Sequence, residues 1–463
     1  MEFWQYNPQS RVFSFDSYFF DLQRFEAHFH YSFQDLKTWE KQEFEEVLNF
    51  DDANFDIRWD FKVEVLENIL FHIHMALWIS YYKAYPTEKL LVCSAKIDDF
   101  QKEFWKKFYI NGLWEFLFTN NISPKNLFQF ENNSENELSK VDFTISNKAL
   151  VPIGWGKDSI VSLELLAESW IEYDTFVFWK MDIIKEKCAE TIGKPNLLVT
   201  RQISHKLFEL NKAGYFNGHV PITGIIAFSM ELVAYLFDYK YLVLSNEKSA
   251  NFWNTLWEWV EINHQWSKSL EFEQDFWEYV EKYISSETKY FSLLRGMYEL
   301  KIAELFVNYW KKYFNNFSSC NKNFAITKDK NHDGLWCNSC PKCAFVFSML
   351  RPFLNESEVQ KIFGKDLFFD QNLEKLFREL LWISWIKPFE CVWTNEEVIY
   401  SMYLVIQNDM YWEDLPNILK IFKEEVLSKM NEEELEKIKN KLFKITTEDI
   451  IPAELKKSIK IFD

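Results

Sequence analysis

The stretch VPIGWGKDSI, residues 151–160, sets Gly154, Gly156, Lys157, Asp158 and Ser159 between an apolar run and an amphipathic one. Only ten of the 463 residues are glycine, so two of them one residue apart mark a place where something comes close to the backbone. A strand, a glycine turn and a helix in this order make an anion holder. Backbone N–H groups are uncovered, the helix start adds the positive end of its dipole, Lys157 adds charge and Ser159 a hydroxyl donor. The ligand such a turn suits is a phosphate chain, with Mg²⁺ to offset its charge. Asp158 reads as a metal ligand or, preferred, as a helix cap that also orients the ligand. The mononucleotide P-loop pattern is excluded, because Val151 occupies its first glycine position and Asp158 follows the lysine. The dinucleotide fingerprint fails as well, with Ser159 where its last glycine belongs.

Further groups carry chemistry. Cys320, Cys337, Cys340 and Cys343 follow a C-x16-C-x2-C-x2-C spacing. Short spacings supply three soft ligands from one loop, and a fourth closes a tetrahedral site for structural Zn²⁺. Asn217, Gly218, His219 and Thr223 open a long helical run, a second place for an anion or a substrate carboxylate. Ser245, Asn246, Glu247 and Ser249 end a β run, where nucleotide or metal contacts fall; a plain polar turn is the alternative. Cys391 and His219 are the candidates for moving a proton: a thiol can exchange an α-proton, and an imidazole titrates near neutrality. The competing reading makes Cys391 a small buried hydrophobe and His219 a hydrogen-bonded structural histidine. His28 with His30, and His72 with His74, read as packing or surface residues.

The elements that must position these groups follow from periodicity. Residues 11–33 alternate apolar and polar residues, which predicts strands with one buried face, and two helical stretches follow before a polar, Asn- and Glu-rich segment at 129–140. From 148 onward short β runs alternate with helical ones, which predicts a doubly wound, mostly parallel α/β sheet with ligands beyond the carboxyl ends of its strands. Past 250 the chain reads mainly as helix. The division expected is an α+β N-terminal domain over 1–140, a nucleotide-binding α/β domain over 141–310, and a zinc-binding, mainly helical region over 311–463.

Composition narrows the class. A net charge of −18 disfavours a nucleic-acid partner. No apolar run is long enough for a membrane span, and the opening MEFWQYNPQS lacks the basic-then-apolar order of a secretion signal, so a cytoplasmic protein is expected. An odd total of seven cysteines argues against a disulfide framework.

The turn Gly154-Trp155-Gly156-Lys157-Asp158-Ser159 resembles the PP-loop of the ATP pyrophosphatase superfamily, whose core is SGGxDS; the match is strict at Gly156, Asp158 and Ser159, with a bulky Trp155 at a small position. With NKAGYFNGHVPITG (211–224), LVLSNEKSAN (242–251), WCNSCPKCAFVF (336–347) and KPFECVWTNEE (387–397), the chain resembles the ATP-dependent UDP-N-acetylmuramoyl-L-alanyl-L-glutamate epimerase family, MurL, from about residue 100 nearly to the end. The resemblance implies a PP-loop fold of the adenine nucleotide α-hydrolase type. It implies inversion of the terminal L-Glu of UDP-MurNAc-L-Ala-L-Glu, with ATP converted to AMP and diphosphate, in peptidoglycan precursor synthesis. Two alternatives remain: another adenylating PP-loop enzyme, such as a 7-cyano-7-deazaguanine synthase with its similar cysteine cluster, or a non-catalytic nucleotide- and zinc-binding scaffold.

Overall fold

The computed structural model describes residues 6–462 apart from 53–54, 59, 155, 253–254, 258–259, 325–333, 384–393, 409–410 and 412–413, so Trp155 and Cys391 lie outside the described residues. Strands form at β1 (Arg11–Asp21), β2 (Glu26–Asp35), β3 (Lys41–Asn49), β4 (Lys89–Val92), β5 (Gln129–Asn132), β6 (Lys148–Pro152), β7 (Glu172–Trp179), β8 (Asn196–Gln202), β9 (Tyr241–Leu244), β10 (Thr255–Trp257), β11 (Val260–Ile262) and β12 (Lys289–Ser292). The helices that bear on the site are α1 (Val63–Leu77), α2 (Asp99–Gly112), α3 (Trp114–Thr119), α4 (Lys157–Ala167), α5 (Ile183–Ile192), α6 (His205–Lys212), α7 (Ile222–Phe237), α8 (Leu270–Tyr283), α9 (Glu299–Tyr309), α10 (Pro341–Leu350) and α11 (Asn395–Gln407).

Ten strands make one sheet in the order β12-β9-β6-β7-β8-β3-β2-β1-β4-β5, and β10 pairs with β11 in a second, two-stranded sheet. The run from β12 to β8 is parallel throughout. Its central strands are apolar on both faces because helices cover both. Ala149 and Val151 of β6 enter one core while Leu150 enters the other, and in β9 Tyr241 and Val243 separate from Leu242 and Leu244 in the same way. That is the period-two alternation of a strand buried on both sides.

The path of the chain fixes where a ligand can sit. From β6 it crosses through α4 to β7 and through α5 to β8, on the face whose core includes Ile160, Val161 and Ile184. It then returns through α7, packed on the opposite face by Ile225, Phe228 and Leu232, to β9 beside β6. The winding therefore reverses between β6 and β9, the switch point beyond whose carboxyl ends sheets of this kind form their ligand crevice. The β6–α4 turn and the residues after β9 stand on its two sides.

The polar segment after β5 separates β5 from β6, but the sheet continues across it. β3 pairs antiparallel with β8, Leu48 opposite Arg201, so β1 to β5 extend the parallel sheet instead of closing a sheet of their own. An edge strand leaves a row of unpaired N–H and C=O groups, and β3 covers that of β8. No helix among the described residues is long and apolar enough to cross a membrane.

Candidate active site

The β6–α4 turn is held by its glycines in different ways. A Cβ on Gly156 would come within 2.7 Å of Ser319 Oγ, whereas one on Gly154 would meet nothing within 4 Å. Gly156 is the N-cap of α4 with extended backbone (φ −75°) and has no side chain to cap the N–H groups of the first turn. Asp158 lies inside that turn and does not cap it; its carboxylate stands 2.5 Å from Lys157 Nζ. Ser159 Oγ donates to Gly156 O at 3.0 Å.

Lys157 is buried, and its Nζ also contacts Glu299 Oε2 in the first turn of α9. Burial works against its charge, but Asp158 and Glu299 together push its pKa up. Burial and the neighbouring Asp158 push the Glu299 carboxyl up, against the pull of Lys157. One cation thus serves two carboxylates.

On the other side of the crevice, Ser249 Oγ donates to both oxygens of Glu397 at 2.9 Å. The Glu299 N–H (2.8 Å) and the Thr394 N–H (2.8 Å) donate to the same carboxylate. Arg295, fully buried, donates to Glu247 O at 2.8 Å and to Lys268 O at 2.5 Å, tying the segment after β9 to the turn before α8. Two atoms here are left over: Ser245 Oγ and Asn246 Nδ2 are buried without a hydrogen-bond partner among the described residues. Buried polar groups are nearly always paired, so two such atoms at a strand end could take a partner from outside the chain.

The sequence reading missed Glu299, Arg295 and Glu397. Glu397 had a local signal, since Thr394 to Glu397 is a T-x-x-E capping box, which does form at the start of α11.

The four cysteines converge. Their sulfurs all lie within 4.8 Å of one another, with Cys337 to Cys343 at 3.7 Å and Cys340 to Cys343 at 3.5 Å. Thiolates on a tetrahedral zinc, each about 2.3 Å from the ion, stand roughly 3.8 Å apart, so the set fits that ion. Hydrogen bonds from Cys340 and Cys343 hold the Cys320 sulfur far below the thiol range, and Cys340 is correspondingly pushed up to about 12. Cys340 is the N-cap of α10, its sulfur accepting from Cys343 N–H. Ser319, which packs on Gly156, directly precedes Cys320, so the cysteine knot buttresses the glycine turn.

Asn217, Gly218, His219 and Thr223 precede and open α7, which begins at the carboxyl end of the sheet. Asn217 Oδ1 accepts from Gly218 N–H, and Lys83 Nζ donates to Gly218 O at 3.1 Å. Burial and Arg201 bring Lys83 down to about 8. His219 meets Glu115 of α3 and His264; burial and His264 push His219 down to about 4, against Glu115. His72 and His74 are core residues, bonded to Tyr279 OH and His30 O.

A mostly parallel sheet wound both ways from a switch point, with helices on both faces and a four-cysteine cluster packed behind its glycine turn, makes this an α/β protein of the kind in which ligands are held at strand ends. Family models for the MurL N-terminal domain and the MurL C-terminal domain match residues 5–293 and 316–437. A UDP-N-acetyl-alpha-D-muramoyl-L-alanyl-L-glutamate epimerase of Xanthomonas oryzae pv. oryzae is 33% identical over 79% of this chain and 80% of its own length. Proteins of the same name from a Micromonospora strain and from Salinispora tropica are each 34% identical over 88% of this chain, covering 89% and 87% of their own lengths. The chain belongs to the MurL family.

Proposed function

We propose that this protein epimerises the terminal L-Glu of UDP-MurNAc-L-Ala-L-Glu to D-Glu by way of an acyl adenylate, in the cytoplasmic synthesis of peptidoglycan precursors. The relatives' name supplies the substrate and the outcome; the ATP step rests on chemistry and on the crevice. Removing an α-proton beside an ionised carboxylate creates a dianion. Attack of that carboxylate on the α-phosphorus of ATP, with diphosphate leaving, cancels the charge and makes the carbonyl an electron sink. The α-proton passes to a base, a proton returns to the opposite face, and water cleaves the mixed anhydride to give the D-glutamyl product and AMP.

The observation that carries this reading is the pair of orphaned atoms, Ser245 Oγ and Asn246 Nδ2, across the switch point from Gly154 and Gly156. In this assignment the turn from Gly154 to Ser159 takes the β and γ phosphates, and Ser245, Asn246, Glu247 and Ser249 take the rest of the nucleotide. Asp158 and Glu247 are hard oxygen donors of the kind Mg²⁺ accepts; the ion would offset polyphosphate charge. Zn²⁺ held by Cys320, Cys337, Cys340 and Cys343 would be a structural cross-link. Proton exchange needs groups on both faces of the α-carbon; Cys391 and the His219 side of the crevice are the candidates.

The test is incubation of the dipeptide substrate in deuterated water with and without ATP. Deuterium at the glutamyl α-carbon only when ATP is present, with AMP and diphosphate released, is expected. Exchange without ATP, or AMP release without exchange, would reject the mechanism.

A further inference from the structure

Away from the phosphate side of the crevice, three metal-type donors from distant parts of the chain meet. Glu115 stands in α3, His219 in the loop before α7, and His264 in the turn after β11, and one ligand atom of each lies within 4.8 Å of the others. Glu115 Oε2 touches His264 Nδ1 and lies 3.7 Å from His219 Nδ1. The two rings have centroids 4.4 Å apart at 50°. We propose that Glu115, His219 and His264 bind one divalent metal ion of the Zn²⁺ or Co²⁺ type, with a coordination position left open to an anionic oxygen ligand.

Hydrogen bonding alone leaves this arrangement half explained. A separation of 3.7 Å is too long for a bond from His219 to the carboxylate, and His219 makes no other hydrogen bond among the described residues. Two ligands on one tetrahedral ion, each about 2.0–2.1 Å from it, stand roughly 3.3 Å apart, close to the 3.7 Å between Glu115 and His219. The contact between Glu115 and His264 is tighter than that, so the carboxylate is the ligand that draws back when the ion enters.

The donors are also fixed from outside the cluster. A Cβ on Gly218 would come within 2.8 Å of Phe116 Cδ2, so the backbone beside His219 is pressed on the side chain next to Glu115. Asn263 Nδ2 donates to Ala250 O at 2.9 Å and holds the neighbour of His264 against the segment after β9. Ligand positions set by independent contacts are what a metal site requires.

The donor set also selects the ion. Two imidazoles and one carboxylate suit borderline ions and disfavour Mg²⁺ and Ca²⁺, which take oxygen. His264 is nearly covered, with 6% of its side chain exposed, while His219 and Glu115 keep 27% and 23%, so the open position lies on their side. Lys83, bonded to Gly218 O, adds positive charge near it, which favours an anionic fourth ligand. Trp114 and Asn263, the chain neighbours of two of the ligands, line a cleft of about 320 Å³. Through the ion, His219 would act as a ligand and not as a proton carrier, and the experiment below decides between these roles.

Full-length protein carrying one Zn²⁺ per chain, the amount the four-cysteine site takes, is titrated with Co²⁺, and bound metal and the visible spectrum are read together. About one Co²⁺ per chain is expected with d–d bands and without the sulfur-to-metal absorption that the cysteine site would give. Those bands should vanish in His219→Gln and in His264→Gln while Zn²⁺ and the far-ultraviolet dichroism remain. Glu115→Asp should keep the bands with weaker binding. If a histidine variant fails to fold, the wild-type spectrum decides. No thiolate-free Co²⁺ band in the wild type, or an undiminished band in a folded His219→Gln, His264→Gln double variant, overturns the proposal.

Discussion

Ser245 Oγ and Asn246 Nδ2 offer a measurement in which stability and binding move in opposite directions. Both are buried without a partner among the described residues. Leaving such a group unmade costs about 1–3 kcal/mol. Ser245→Ala deletes the hydroxyl, and Asn246→Leu deletes the amide at nearly constant volume. Each variant should therefore make the free protein more stable by about 1 kcal/mol, which for so long a chain is on the order of 1–2 °C in melting temperature. Nucleotide binding should suffer, because these atoms then have nothing to offer. Losing one hydrogen bond of about 1 kcal/mol weakens affinity about fivefold. At ATP–Mg²⁺ of about 100 times Kd the wild type gains about 2.7 kcal/mol; a fivefold weaker variant gains about 1.8 kcal/mol. Thermal melts with and without ATP–Mg²⁺ read both effects: a higher starting midpoint and a smaller shift. Variants that melt below the wild type with an undiminished nucleotide shift would refute the reasoning, since the atoms would then be structural.

Three further outcomes follow from buried groups. Burial pushes Glu231 up to about 8, with Thr288 Oγ1 donating to it at 2.9 Å. A folded pKa above the ordinary value of 4.5 means that its contribution is fully present below that pH and is lost as pH rises toward about 8. Urea unfolding near pH 5.5 and pH 8 should show Glu231→Gln gaining about 3 kcal/mol on the wild type across that window, and parallel curves would contradict it. Lys157→Met leaves Glu299 buried beside Asp158 and should cost about 3–5 kcal/mol, much of it recovered by adding Glu299→Gln; equal losses in single and double variants would argue against the pair. Gly156→Ala should weaken ATP binding through its contact with Ser319 Oγ, and Ser319→Ala should restore it, because the next atom, Ser319 Cβ, lies at 3.9 Å.

Much of the site was legible because its signals are local. The glycine turn after β6 and the polar residues after β9 fall at strand ends, and strands announce themselves by the alternation of neighbours. The cysteine set was legible through its spacing, since Cys337, Cys340 and Cys343 share one turn and need only one ligand from elsewhere. The expected cap at Asp158 shows the limit even of local reading: one residue of register decides whether a carboxylate caps a helix or faces the lysine beside it.

What the sequence by itself determined is the alternation of strand and helix, the turn that exposes backbone N–H groups, and the soft-ligand cluster. Only the tertiary structure decided that Lys157 meets Glu299, that Glu397 bridges Ser249 to the start of α9, that Glu115, His219 and His264 converge, and that β3 joins β8 into one sheet. Periodicity tells which face of an element is buried, because that depends on residues a few positions apart. It does not tell which distant element covers the face, because that depends on the path of the whole chain.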